Sequence, residues 1–243
     1  HQGQWKWARL HSTPPTPWQP IPRDRDKPFV SSDGLIPSLA RLAAPNLMVF
    51  QASYASVQAL TWNSIDFDRR MLAGLEKPVW DSVAGELARR VTDSVIDAAL
   101  LALPPEYRPS APQLARILKQ RRNGLPQAAD RFYLALAAVV DIHGSDAADR
   151  ATVTRVDDRF VDVRLESDDG TPYFLRRFDA RETREIRVYL HGGDDGVRVA
   201  GEVRRSIPVR IIGGNGTNRF IDSSRVGGHR SPTHLYDAGP VTS

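Results

Sequence analysis

Cysteine is absent from all 243 residues. That excludes disulfides, thiolate metal centres and cysteine nucleophiles, and it fits a bacterial envelope protein. No run of 18 or more apolar residues occurs, so no segment reads as a membrane-spanning helix. No G-x-S-x-G elbow and no H-E-x-x-H pair is present. A concentrated basic stripe, which a nucleic-acid surface calls for, is also missing. The net charge is +4, and the arginine pairs Arg121-Arg122, Arg176-Arg177 and Arg204-Arg205 are scattered among acids. They read as a solvated face with no nucleic-acid partner. What remains is ordinary globular material, 41% apolar and 26% charged, with room for two small domains.

Three regions differ in composition. Residues 1–50 hold Trp5, Trp7 and Trp18 and a proline series from Pro14 to Pro22, which forbids continuous helix. Residues 62–142 are read as helical. Ser64 and Thr92 are candidate caps. Pro78 suits a first helical turn, and Ser110-Ala111-Pro112-Gln113 has the capping-box pattern. Trp80, Val83, Leu87 and Val91 form an apolar stripe read as core, and Asn123-Gly124 is read as a helix end before Pro126 opens the last helix, which carries Val140. From Ala151 the apolar period falls to two, with a hairpin expected at Asp157-Asp158 and short glycine-punctuated strands beyond it. The domain boundary is expected at Gly144 to Arg150. The expected fold class is α+β: residues 1–146, helical, then residues 147–243, a β-rich roll or sandwich.

Two patterns carry chemistry. His1-Gln2-Gly3-Gln4 is followed by Arg23-Asp24-Arg25-Asp26. Phosphoryl transfer needs oxygen ligands that hold Mg²⁺ across the phosphates and a residue that orients the nucleophile. Asp24 and Asp26 are the candidate Mg²⁺ carboxylates, and His1 and Gln4 the candidate remnant of a catalytic loop. The bland reading is a surface turn whose acids pair with neighbouring arginines. The second pattern, Gly213-Gly214-Asn215-Gly216-Thr217-Asn218-Arg219-Phe220-Ile221, matches the calcium nonapeptide G-G-x-G-x-D-x-U-x with Asn218 in place of Asp. Gly192-Gly193-Asp194-Asp195-Gly196-Val197 is a shortened relative 21 residues earlier. Asp194, Asp195 and Asn218 are the candidate Ca²⁺ ligands. A metal-free roll is the preferred alternative, because one imperfect copy cannot build a run of shared calcium sites. His191, His229 and His234 read as loop or strand-edge residues whose spacing does not suggest a metal site.

The loop at His1 resembles the D-R-H-x-x-N loop of atypical kinases without its Asp and Arg, with Gln4 where Asn is usual. Asp24-Arg25-Asp26 resembles the D-x-D motif of CotH-like kinases. That resemblance implies a kinase-like C-lobe whose missing residues lie upstream, so the chain is expected to be a fragment. A larger set of strings covers nearly the whole chain: W-K-W, P-I-P-R-D-R-D-K-P-F, D-G-L-I-P-S-L, D-F-D-R-R-M-L-A-G-L, L-P-P-E-Y, L-K-Q-R-R-N-G-L and R-E-T-R-E-I-R-V-Y-L-H-G-G-D-D. Together they resemble the region preceding the barrel in bacterial BamA/TamA-like surface-antigen outer-membrane proteins. The resemblance implies an extramembrane segment in the cell envelope, partnered by a C-terminal barrel of the same parent chain. Its expected role is structural or interacting, with an atypical Mg²⁺-dependent phosphotransferase and a calcium-stabilised adhesin-like module as alternatives.

Overall fold

A computed structural model describes residues 5–9, 18–23, 29, 50–227 and 233–238. The fold is α+β, as the two apolar periods imply. The chain divides into two compact units, residues 1–67 with 81–132, and residues 68–80 with 133–243.

The first unit opens with an antiparallel ribbon, β1 (Trp5–Arg9) on β2 (Trp18–Pro22), with Trp5 opposite Pro22. Helices follow along the chain: α1 (Val57–Thr61), α2 (Ile65–Leu72), α3 (Lys77–Arg90), α4 (Asp93–Leu101) and α5 (Ala111–Ala137), of which residues 68–72, 77–80 and 133–137 belong to the second unit. Thr92 caps α4 as expected, its hydroxyl accepting from the Val95 amide at 3.3 Å, and α4 buries Ile96 and Leu100. Ser110 does not cap α5. Its hydroxyl donates to the Tyr107 carbonyl at 2.7 Å, closing the preceding 3₁₀ turn. The expected helix end at Asn123-Gly124 is also corrected, because α5 runs through it and through Pro126. Tertiary contacts outweigh the local break. Gly124 sits against the Tyr54 ring, and Arg121 stacks on that ring at 4.1 Å while donating to the Gln51 carbonyl. The α3 stripe is not core throughout, since Val83 and Leu87 are exposed.

The second unit is a short parallel solenoid. Its first coil is β3 (Val139–His143) and β4 (Asp149–Arg155). A meander, β5 (Phe160–Ser167) and β6 (Pro172–Asp179), then continues the β4 sheet antiparallel. Its β4–β5 turn is closed where expected, the Asp157 carboxylate accepting from the amides of Arg159 and Phe160 at 2.7 Å. The chain returns as β7 (Glu185–Tyr189), β8 (Gly196–Ala200) and β9 (Glu202–Val203). The next coil is β10 (Val209–Ile212), β11 (Arg219–Asp222) and β12 (Arg225–Val226), and β13 (Thr233–Tyr236) follows. Sheet orders β13-β10-β7-β3 and β11-β8-β4-β5-β6 stack these coils in parallel.

Gly144 to Arg150 is therefore not a domain boundary. It holds the turn between the first two strands of the solenoid, and Val140, read as helical, lies in β3. The helical and β regions do stay separate: residues 78–103 contain no strand, and the described part of 151–243 contains no helix.

Alternate residues of each strand point inward. Val140 and Ile142, Ile186, Val188 and Leu190, and Val209 and Ile211 line one wall, and Ala151, Val153, Val197, Val199 and Phe220 the other, all buried in one apolar cluster. Each large aliphatic side chain so buried contributes about 1.5–3 kcal/mol. The meander end is anchored by Arg176, 4% exposed, which donates to the Ala73 carbonyl and lies over the Phe178 ring. A second buried arginine, Arg155, crosses the coils. It donates to the hydroxyls of Ser206, Ser224 and Thr233 and to the Ile207 carbonyl.

Candidate functional site

The turns that join the two walls stack into a column, and most of the candidate chemistry falls there. Ile186 pairs with Val209 and Gly196 with Arg219, so equivalent positions lie 23 residues apart. The true partners are thus Gly193 with Gly216 and His191 with Gly214. Gly192-Gly193 and Gly213-Gly214, expected to be equivalent, are out of step by two residues. The close approach of the coils explains the glycines. Gly216 has φ +105°, and a Cβ there would lie 2.0 Å from the Gly193 carbonyl oxygen. As expected, Val197 and Phe220 pair side by side and are both buried.

Asp149, Asp195 and Asn218 occupy one position in successive coils. The Asp195 carboxylate accepts from the Asp149 amide at 2.8 Å, and the Asn218 side-chain oxygen accepts from the Asp195 amide at 3.1 Å. Asn218 then donates to the Asp237 carboxylate at 2.8 Å. All three ladder residues are buried, at 0–2% exposure. Asp194 lies at the rim, where it accepts from the Thr217 amide at 2.7 Å. The candidate calcium ligands are therefore brought together, but as a ladder that satisfies backbone donors at a turn. Among the described residues no group of three or more His, Asp or Glu side chains is arranged to hold a metal ion.

The ladder is electrostatically strained. Asp195 keeps one carboxylate oxygen buried without a partner. Burial pushes its carboxyl up to about 6, aided by the charges of Asp149, Asp194 and Asp237 and opposed by the Asp149 amide. The Tyr173 hydroxyl is pushed above its ordinary range by burial and by its hydrogen bond to Asp149.

Outside the ladder, a groove of about 540 Å³ runs over the β4–β8–β11 wall. Gly196 leaves its floor open, and Arg150, Arg198 and Arg219 stand around it. Asp168 pairs with Arg150 at 3.0 Å.

On the opposite wall His143 and His191 meet. His143 Nδ1 and His191 Nε2 are 2.9 Å apart, and the two rings are within 12° of parallel. Tyr189 lies against His143, with centroids 5.0 Å apart. His191 adopts φ +68°, the left-handed region, alone among the described non-glycine residues. Burial, followed by the Arg70 and His191 charges, holds the His143 imidazole below its usual range, with Asp141 opposing. The sequence did not point to this pair. Its members are 48 positions apart and two residues out of register, since His143 pairs with Tyr189, and the β5–β6 meander lies between their strands in the chain.

His1, Gln4, Asp24 and Asp26 lie outside the described residues. The β1–β2 register places the chain's entry at Trp5 and its exit at Pro22 on the same end of the ribbon.

Comparison with known protein families, with curated proteins and with solved structures finds no match.

Proposed function

We propose that this chain is a non-catalytic extramembrane segment of a bacterial outer-membrane protein of the BamA/TamA-like surface-antigen type, acting as a rigid spacer and interaction module in the cell envelope. One observation carries the non-catalytic part of this reading. The Asn218 oxygen and one Asp195 oxygen of the glycine-rich motif are committed to the solenoid itself, since each accepts a backbone amide from a neighbouring coil. Groups committed to buried backbone donors are poor candidates for exchange with a substrate. The parallel coils support the spacer role, because a solenoid builds length by repetition and presents side chains in straight rows. No helix of the described residues is long and apolar enough to cross a membrane. The envelope placement and the barrel partner rest on the resemblance of the sequence strings.

The test uses the parent protein. Cell fractionation and protease accessibility should place this segment outside the membrane in the envelope fraction. Titration of the purified chain with Mg²⁺ and ATP should give no binding heat. Recovery in the cytosol would overturn the placement. Mg²⁺-dependent nucleotide binding abolished by Asp26→Ala would overturn the non-catalytic reading in favour of the phosphotransferase.

A further inference from the structure

We infer that Arg69 and Arg176 hold a single monatomic anion, chloride in ordinary salt, in a small cavity where the helical segment 68–80 meets the solenoid wall. Every residue lining the cavity belongs to the second unit, from Asp68 on α2 to Arg176 on β6. Three features of the cavity carry this beyond the spacer role proposed above. First, Arg176 is only 4% exposed, and its Nε is buried without a partner. Its other nitrogens are occupied, one by the Ala73 carbonyl and one by the Tyr133 hydroxyl at 3.4 Å. Second, Arg69 borders the same cavity and also buries an Nε without a partner. Third, the free space measures about 10 Å³. That is room for one water-sized body or one monatomic ion.

Two cations on one lining make an anion a better occupant than water. A buried charge is costly unless an opposite charge answers it, and a buried polar atom left without a partner calls for an ion or a water. The two carboxylates whose charge reaches Arg176 are engaged elsewhere. Glu182 accepts from the Tyr133 hydroxyl at 2.6 Å, and Glu76 accepts from the Arg177 amide at 3.2 Å. Burial holds the Arg176 guanidinium below its usual range, with Tyr133 and these two acids opposing. The acid on the lining, Asp68, has a partner of its own and leaves two positive charges to one negative. Leu72, Leu136 and Val140 add an apolar surround, where a charge-assisted hydrogen bond is stronger than in water. Both Nε–H groups donate to the ion, and no proton moves. Carboxylates and phosphates are excluded by size, and metal cations by charge. Because Arg176 also donates to the Ala73 carbonyl, the bound ion ties the end of α2 to the meander.

The test uses the intact chain and two measurements. Crystals grown in sodium bromide should show an anomalous bromine peak between Arg69 and Arg176. Thermal unfolding in sodium chloride, set against sodium gluconate at the same ionic strength, should show a saturable rise in Tm of about 2–4 °C. Arg69→Gln removes a charge from a half-buried position on α2 and should fold. It should weaken halide binding at least tenfold and abolish the rise, and Arg176→Met should do the same. Should Arg176→Met fail to fold, Arg69→Gln and the bromide map decide. An empty or water-filled cavity in the bromide crystals, equal melting temperatures in chloride and gluconate, or a rise unchanged in Arg69→Gln would overturn the assignment.

Discussion

Replacing Asp195 by Asn should make the solenoid more stable at neutral pH, which inverts the usual cost of altering a buried group. Asp195 is 2% exposed, and only one of its two carboxylate oxygens has a partner. Its carboxyl rises from 3.8 to about 6 in the folded state. The folded protein therefore holds that proton more tightly than the unfolded chain. The stability this supplies is fully present below about pH 3.8 and is lost as pH rises toward 6. Above that, the ionised carboxylate costs the fold about 3 kcal/mol, at 1.36 kcal/mol per pH unit. Asn is the same shape and neutral, and it keeps the oxygen that accepts the Asp149 amide. Asn218 already performs that role one coil later. The variant should gain up to about 3 kcal/mol at pH 8 and much less, under about 1 kcal/mol, at pH 4, from the same linkage. Urea unfolding followed by far-UV circular dichroism at the two pH values measures this directly. A gain that does not change between pH 4 and pH 8, or a loss of stability at pH 8, would refute the reasoning. The carboxylate would then be ionised in the fold without penalty.

Other consequences follow from the same column of turns. Gly216→Ala should destabilise by several kcal/mol, since its Cβ would meet the Gly193 carbonyl oxygen at 2.0 Å at φ +105°; thermal unfolding checks it. Phe220→Ala should cost about 3–5 kcal/mol, the range for a buried aromatic side chain, and a loss under 1 kcal/mol by urea titration would show that Phe220 is not part of the core. Arg155→Ala removes the donor to the hydroxyls of Ser206, Ser224 and Thr233. It should cost about 3 kcal/mol or more and raise amide exchange in β10 and β13. Calorimetry with and without calcium should give the same melting temperature, because one Asp195 oxygen and the Asn218 oxygen are taken by amides in a buried ladder; a large calcium-dependent rise would restore the calcium reading.

Much of the β unit was legible in the sequence. Val153, Val161, Val163 and Leu165 alternate with polar residues, and the Asp157-Asp158 turn separates two strands of matching length, so local chemistry alone sets that hairpin. The same holds for Thr92, whose side chain caps its own helix from three residues away. Where the outcome depended on a distant partner, local signals misled. Asn123-Gly124-Leu125-Pro126 reads as a helix break, yet α5 continues because Tyr54 and Gln51 pack against it from 70 positions away. Val139–His143 reads as the tail of a helix, but Val140 and Ile142 complete a wall formed by Ile186, Val188, Val209 and Ile211. The glycine motif shows the division most clearly. Its sequence determined that tight turns recur and that Val197 and Phe220 point inward. It did not determine the offset of 23 rather than 21, because register in a parallel solenoid is set by hydrogen bonds between coils. That offset turned Asp195 and Asn218 from candidate calcium ligands into a ladder, and the β3–β7 pairing, which sets His143 beside Tyr189, brought the His143 ring to His191 two residues further on. Side-chain type and local spacing are properties of the sequence. Which groups face each other is a property of the stacked coils, and only the tertiary structure decides it.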